Sequence, residues 1–335
     1  MTVIANPLTL RRSSAAQSVQ FRTLVSHLRG NPISDLRSPL DWQEKRYGTI
    51  DVVPDANSEA CWCFMQPKGR PSFTPEMLHD LGEMQDSFRQ AFTATDEPNM
   101  PPFKFFIMAS RTPGVFNLGG DLALFANRIR IKDRASLQHY AYATVRALYA
   151  NLQAYEAPIV SIALVQGDAL GGGFECALSF DVIVAERGAR FGFPEILFNL
   201  FPGMGAYSLL SRRIGPVEAE RMILSGDIYS AEDLHRLGVV DVLTDAECGE
   251  AAVRELIAQQ RRKHNAHVAF YRARRRVNAV SYDELRDVVD IWVDAALNVN
   301  EADLRKMERL AAAQERRSGR QSVAPEAIVQ QSGAA

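Results

Sequence analysis

Two glutamates stand in surroundings that are unusual for charged side chains. Glu175 follows three consecutive glycines, Gly171–Gly173, and Glu195 lies twenty positions later in the apolar segment Phe193–Leu200. An apolar environment raises the pKa of a carboxyl group, and two neighbouring carboxyl groups move their pKa values apart. Such a pair could serve as base and acid in proton transfer. Either glutamate alone could equally cap a helix or lie on the surface.

The glycines before Glu175 predict a place where negative charge can be held. The apolar run Ile159–Val165 is rich in β-branched residues, which indicates a buried strand, and Phe174–Leu178 predicts a helix. A turn at the start of a helix leaves backbone N–H groups free, and the helix dipole adds positive potential there. Such donors suit an oxyanion that develops during a reaction. The alternative is that the glycines only permit a tight turn.

Three segments, in this order, resemble the crotonase (enoyl-CoA hydratase/isomerase) superfamily. They read FNLGGDL at 116–122, ALGGGFE at 169–175 and PEILFNLFPGMGAY at 194–207. The resemblance implies that Glu175 and Glu195 are the two catalytic acid–bases. It also implies that the backbone N–H groups of Gly120 and Gly172 form an oxyanion hole.

Within the superfamily the chain resembles the diffusible signal factor synthases of Gram-negative bacteria. This resemblance runs from about Tyr47 to Gly319 and includes FNLGGDLALF at 116–125 and IWVDAAL at 291–297. Such enzymes dehydrate a 3-hydroxyacyl chain on acyl carrier protein and hydrolyse the thioester, which releases a cis-2-unsaturated fatty acid. The resemblance implies these two reactions, an acyl carrier protein or CoA thioester substrate, and neither cofactor nor metal. It also implies a homo-oligomer (trimer or dimer of trimers) and a sensor histidine kinase as a partner.

Two other functions stay open at this point. One is an enoyl-CoA hydratase of fatty-acid β-oxidation, which would share the glutamates and the oxyanion hole. The other is a protein that binds a fatty acid or a sensor histidine kinase without catalysis. Both glutamates are present, which argues against binding alone.

Apolar residues near these motifs suit a fatty chain. Met204 and Trp292 are the candidates for contact with it, because both lie in segments that match the synthases. Four further apolar residues near the motifs are as typical of ordinary core: Leu170, Phe193, Leu197 and Leu200.

A basic cluster near the C-terminus has two interpretations. It consists of Arg272, Arg274, Arg275 and Arg276 in a predicted helix. The cluster could be a solvated helix face, or it could dock an acidic acyl carrier protein or the phosphates of CoA. Because no aromatic residues are interleaved with it and the formal net charge is −2, nucleic-acid binding is not expected.

The order of predicted elements indicates an α/β fold. Strands alternate with helices along the chain, which implies right-handed crossovers and a largely parallel sheet. The family resemblance specifies a crotonase-like spiral of repeated ββα units with a C-terminal helical region. We expect a poorly ordered extension at 1–45, the core at 46–245, the helical region at 246–318 and a flexible tail at 319–335.

The composition is that of a globular protein, with 47% hydrophobic and 23% charged residues among 335. No apolar run approaches the ~20 residues that span a bilayer, so no membrane partner is expected. The four cysteines have no metal-binding spacing, and we expect reduced thiols in a cytoplasmic protein.

Overall fold

The structure is a computed structural model that describes residues 41–94 and 101–321. The extension predicted at 1–45 therefore lies outside the described residues up to position 40. Of the tail predicted at 319–335, residues 322–335 lie outside them as well, and the last helix continues to Gln321.

Ten strands and twelve helices form the described chain. The strands are β1 Ile50–Asp55, β2 Ala60–Met65, β3 Phe105–Ser110, β4 Val115–Asn117, β5 Val160–Val165, β6 Asp168–Leu170, β7 Val182–Glu186, β8 Arg190–Gly192, β9 Ile228–Ser230 and β10 Val242–Thr244. The helices are α1 Asp41–Glu44, α2 Pro75–Ala94, α3 Leu122–Arg130, α4 Arg134–Leu152, α5 Gly172–Leu178, α6 Ala206–Ile214, α7 Pro216–Ser225, α8 Ala231–Arg236, α9 Gly249–Arg261, α10 His264–Val277, α11 Tyr282–Leu297 and α12 Glu301–Gln321. Two 3₁₀ turns lie at Ala154–Glu156 and Pro194–Phe198.

The strands divide into two sheets. Six strands form the larger sheet in the order β1-β2-β3-β5-β7-β10, in which only the β1–β2 pair is antiparallel. The smaller sheet has the order β4-β6-β8-β9, and only β9 is antiparallel to its neighbour. The pairs β3–β4, β5–β6 and β7–β8 each give one strand to each sheet and then lead into helical segments. The predicted spiral of ββα units is thereby confirmed.

Side-chain alternation in the larger sheet buries both of its faces. In β2, Cys61 and Cys63 point into the main core, whereas Trp62 and Phe64 point to the opposite face, where α9 and α10 cover them. All four cysteines are free thiols, and Cys248 alone is exposed. The predicted boundary at 245/246 falls between β10 and α9 and stays a prediction.

The sequence predicted the long strands better than the short ones. The apolar run Ile159–Val165, predicted as a buried strand, is strand β5 at Val160–Val165. Strands β4, β6 and β8 were not predicted, since three residues are too few to show a periodic pattern. No helix in the ranges 41–94 and 101–321 is long and apolar enough to cross a membrane.

Candidate active site

The smaller sheet brings the three motif segments to one edge. Strand β4 leads into Gly119–Gly120, β6 leads into Gly171–Gly173, and β8 leads into Pro194–Glu195. These three strands are parallel, so their carboxyl ends lie side by side. Crevices at the carboxyl ends of parallel strands are common ligand sites.

A cavity of about 260 Å³ lies at this edge. All six residues singled out from the sequence line it: Gly120, Gly172, Glu175, Glu195, Met204 and Trp292. The other lining residues are mostly apolar, and they come from α3, α4 and α12 as well as from the motif segments. The structure thus brings the six predicted residues together, while their roles in catalysis stay predictions.

Two backbone N–H groups are available in the cavity. Within the described part of the chain, neither the Gly120 nor the Gly172 N–H donates a hydrogen bond to a protein atom. Gly172 is the first residue of α5, where N–H groups have no partner inside the helix. Gly119 has a φ of +90°, and a Cβ there would lie 2.9 Å from the Gly172 nitrogen. Only glycine allows the two turns to approach this closely.

Glu175 is buried and held from one side. The residue is 1% exposed, and its Oε1 accepts hydrogen bonds from the backbone N–H groups of Met204 at 2.8 Å and Ala206 at 2.9 Å. Burial raises the pKa of Glu175 to about 7, although the N–H groups of Ala206, Met204 and Gly205 oppose the rise. The loop before α6 therefore fixes this carboxylate and stabilises its charge.

Glu195 has a contrasting environment. Its carboxylate packs over Gly171, where a Cβ would lie 2.2 Å from Oε1, so the φ of +52° and the missing side chain of Gly171 are both required. Oε2 is enclosed and has no hydrogen-bond partner among the described residues. Burial, and then the nearby Glu175, raise the pKa of Glu195 to about 8. The backbone N–H groups at Glu175 favour its charged form, whereas Oε2 of Glu195 has no donor among the described residues that would favour ionisation.

Aromatic and aliphatic side chains close the cavity. The Trp292 ring on α11 packs edge-on against Phe125 at 5.1 Å between centroids, and a Cβ on Gly203 would meet it at 2.5 Å. Helix α12 adds Leu310 and Ala313 to the wall. Of the other four apolar candidates, Leu170 and Leu200 line the cavity, Phe193 is core, and Leu197 is 52% exposed.

Sequence reasoning missed the contribution of α4. Tyr140, Ala141 and Thr144 line the cavity from this helix. They belong to no motif, and the hydropathy pattern of this helix marks its buried face only weakly. Asp121 caps α3 by accepting from the Leu124 N–H at 3.1 Å and pairs with Arg70 at 3.2 Å, so it supports the turn at Gly120.

The basic cluster on α10 divides into two pairs. Arg274 and Arg275 bind the carboxylate of Asp181, at 3.2 Å and 2.7 Å, and Asp181 is only 3% exposed. For these two arginines the interpretation as a solvated face is wrong, because they anchor α10 to the start of β7. Arg272 and Arg276 are exposed.

Comparison with known proteins agrees with this geometry. Residues 63–318 match the family described as enoyl-CoA hydratase/isomerase. The chain is 41% identical over 125 residues to 2,3-dehydroadipyl-CoA hydratase of Escherichia coli K12, a match that covers 37% of this chain and 46% of that protein. It is 35% identical over 193 residues to "Probable enoyl-CoA hydratase echA8" of Mycobacterium leprae, which covers 56% of this chain and 70% of the relative. The chain thus spans about half the length of the first of these relatives.

Solved structures share the fold at low sequence identity. The human mitochondrial delta3-delta2-enoyl-CoA isomerase superposes with a TM-score of 0.65 at 18% identity, over 80% of this chain and 99% of that one. Enoyl-CoA hydratase of Bacillus halodurans gives 0.64 at 17%, over 78% and 100%. Pseudomonas aeruginosa DspI gives 0.52 at 23%, over 79% and 95%. The fold, the site and the family match together show that this chain belongs to the enoyl-CoA hydratase/isomerase family of the crotonase superfamily.

Proposed function

We propose that this protein adds water to, or removes water from, the 2,3-bond of an acyl thioester. One observation carries the proposal: two carboxyl groups with raised pKa values share an apolar cavity with two unpartnered backbone N–H groups. Proton removal, proton delivery and stabilisation of a developing oxyanion are the three tasks that this reaction requires.

The two glutamates have different roles in this proposal. In the hydration direction, the Glu175 carboxylate removes a proton from water as the water oxygen attacks C3. The thioester oxygen gains negative charge and accepts hydrogen bonds from Gly120 and Gly172, each worth about 3 kcal/mol in the transition state. Glu195 then gives its proton to C2. Dehydration is the reverse, so that Glu195 removes the C2 proton and Glu175 protonates the leaving hydroxyl.

The assignment follows from the hydrogen bonds of the two carboxyl groups. Two backbone N–H groups at Glu175 Oε1 favour its charged form. At Glu195 only its own backbone N–H lowers the pKa of the carboxyl group, and Oε2 has no donor among the described residues, so the protonated form is favoured more than at Glu175. A base with a pKa of about 7 and an acid with a pKa of about 8 suit work near neutral pH.

The hydratase alternative has the better support for the substrate. The curated relatives are named as hydratases of CoA thioesters, so a 2-enoyl-CoA or 3-hydroxyacyl-CoA is the first candidate. The signal-factor synthase activity is the second candidate. In its favour, the synthase-like segment at 291–297 supplies Trp292 to the cavity wall. A homo-oligomer, an acyl carrier protein and a sensor histidine kinase stay predictions from the resemblance.

The second candidate needs one further reaction at the same site. Water activated by a glutamate would attack the thioester carbonyl. The oxyanion of the tetrahedral intermediate would accept hydrogen bonds from the same two N–H groups, those of Gly120 and Gly172. Collapse of this intermediate breaks the C–S bond, and the carrier thiolate takes the proton. The products are a free fatty acid and the thiol of the carrier.

One assay separates the candidates. Purified protein is incubated with medium-chain 3-hydroxyacyl thioesters of CoA and of acyl carrier protein, and the products are identified by mass spectrometry. Interconversion of hydroxyacyl and enoyl thioesters without free acid supports the hydratase, whereas free cis-2-enoic acid supports the synthase. No reaction with any of these thioesters would refute both.

Matched variants link the reaction to the site. Glu175→Gln and Glu195→Gln should abolish turnover. Glu186→Gln is the control, because Glu186 is also buried and accepts two backbone N–H bonds, from Glu247 at 3.0 Å and Gly249 at 2.9 Å, but lies outside the cavity. Full activity in either cavity variant would rule out its assigned role.

A further inference from the structure

Tyr140 on α4 joins the turn at Gly120 to a second segment of the chain. The residue is 6% exposed, and its hydroxyl accepts a hydrogen bond from the Asp121 N–H at 3.2 Å. The same hydroxyl donates to the carbonyl oxygen of Phe73. The Phe73 N–H in turn donates to the carbonyl oxygen of Gly119 at 2.8 Å. One hydroxyl therefore completes a ring of hydrogen bonds around the peptide that contains the Gly120 nitrogen.

This ring fixes the direction of the Gly120 N–H. In a trans peptide the C=O and the N–H point in opposite directions. Since the Gly119 carbonyl is turned to Phe73, the Gly120 N–H must point away from Phe73. The next N–H along the chain, that of Asp121, is held by Tyr140. Neither peptide can rotate without breaking one of these bonds.

Aromatic packing supports the same arrangement. The Phe125 ring stands perpendicular to the Tyr140 ring, with 5.1 Å between centroids. A Cβ on Gly120 would lie 2.6 Å from the Phe125 ring and 3.7 Å from the Tyr140 hydroxyl. Burial raises the pKa of Tyr140, so the phenol stays protonated and can donate and accept at once.

We infer that Tyr140 is a positioning residue that aims the Gly120 N–H at the thioester oxygen. This inference rests on the proposed function. Tyr140 lines the cavity beside Gly120, but the role assigned to it acts through the backbone of the turn. The other hydrogen bonds of the turn are those from the Gly119 N–H to Asn117 at 2.8 Å and those at the Asp121 side chain. They leave the Gly119 carbonyl to Phe73 and the Asp121 N–H to Tyr140.

The chain offers a matched control on the same helix. Tyr142 donates its hydroxyl to Asp290 of α11 at 2.7 Å and accepts from Gln138 at 3.0 Å. Tyr142→Phe therefore removes a hydroxyl that holds α4 to a neighbouring helix without touching the turn. Tyr140→Phe removes the hydroxyl of interest and keeps the ring that packs on Phe125.

The first measurement is steady-state turnover of a 2-enoyl-CoA thioester. For Tyr140→Phe we expect kcat and kcat/KM to fall together by about tenfold or more, with KM little changed, because the lost interaction acts in the transition state. Tyr142→Phe should keep wild-type kinetics. Thermal unfolding checks both variants. Loss of the fold in Tyr140→Phe alone would overturn the inference, because the hydroxyl would then hold the fold rather than the donor.

The second measurement does not depend on turnover. The infrared stretching frequency of the thioester carbonyl is recorded for a saturated acyl-CoA, isotope-labelled at the carbonyl, when free and when bound. The wild-type protein should lower this frequency, and Tyr140→Phe should lose part of the shift while Tyr142→Phe keeps it. An equal shift in all three proteins would overturn the role of Tyr140. No shift in the wild type would instead refute the oxyanion hole, and with it the proposed function.

Discussion

Replacing Glu175 with glutamine should stabilise the fold at alkaline pH while it abolishes turnover. Glu175 is 1% exposed, and its pKa in the folded protein is about 7, whereas a glutamate in water titrates at 4.5. Glutamine keeps the shape of the side chain and an oxygen that can accept from Met204 and Ala206. It carries no charge at any pH, so it escapes the free-energy penalty of burying one.

The sign and size of the effect follow from proton binding. Below about pH 4.5 the carboxyl group is protonated in both states, and burial carries no ionic penalty. Between about pH 4.5 and 7 the unfolded chain ionises while the folded protein does not, so the free energy of unfolding falls as the pH rises. Above about pH 7 the free energy of unfolding falls no further on account of Glu175. At about 1.36 kcal/mol per pKa unit, the total decrease in the free energy of unfolding is about 3 kcal/mol.

Urea unfolding of the wild type and Glu175→Gln at about pH 5 and about pH 8.5 measures this difference. The variant should gain up to about 3 kcal/mol relative to the wild type between the two values. Glu186→Gln is the matched control and should lose stability, since it weakens two charge-assisted bonds to backbone N–H groups. A stability difference between Glu175→Gln and the wild type that is independent of pH would refute the raised pKa.

The pH dependence of turnover should be bell-shaped with a maximum between about pH 7 and 8, because the hydration step needs Glu175 ionised and Glu195 protonated. Gly172→Val should lower kcat by about 10²–10³-fold in the thioester assay, since its Cβ would displace Met204 and the N–H donor would move. If the exposed pair on α10 docks an acidic carrier protein, Arg272→Glu with Arg276→Glu should raise KM for carrier-bound substrate and leave a pantetheine thioester unaffected.

For each of these three predictions, one experimental outcome would contradict it. A flat rate profile across this pH range would show that the two glutamates do not titrate as assigned. Gly69→Val is the control for Gly172→Val, because a Cβ at Gly69 meets nothing within 4 Å, and an equal loss in both would indicate a general effect of valine. For the carrier surface, an equal rise in KM for both substrates would indicate damage to the fold. Arg274 and Arg275 are excluded from that test, since removal of either would weaken the anchoring of α10 to Asp181.

The sequence predicted those site residues that lie in short, continuous motifs. Glu175 and the glycines before it stand within a few positions of each other, and a strand–turn–helix pattern is a local property. The two arginines that bind Asp181 illustrate the opposite case. Their pairing joins positions more than ninety apart, and nothing local distinguishes Arg274 and Arg275 from the exposed Arg272 and Arg276.

The cavity-lining residues of α4 could not be predicted either, because their contacts also join distant parts of the chain. In the sequence, Tyr140 is one of many apolar positions of a helix, and its hydrogen-bond partners lie 19 and 67 positions away. The short strand β8, which aims Glu195 at the cavity, depends on pairing with β6 rather than on its own three residues. Contacts between elements decide such features, and single-sequence periodicity holds no information about them.

If Glu175 is the base and Gly172 an oxyanion donor, as proposed, the loop before α6 couples the two. The backbone N–H of Met204 donates to Glu175. The Met204 sulfur lies close to Gly172, since a Cβ added there would be 2.7 Å from it. Gly205 has a φ of +119°, which turns the chain so that Ala206 can give the second N–H to the same oxygen. A displacement of this loop would therefore change the pKa of Glu175 and the surroundings of the Gly172 donor together. Proton transfer and oxyanion stabilisation thus share one structural support, so a substitution in this loop should not impair one without the other.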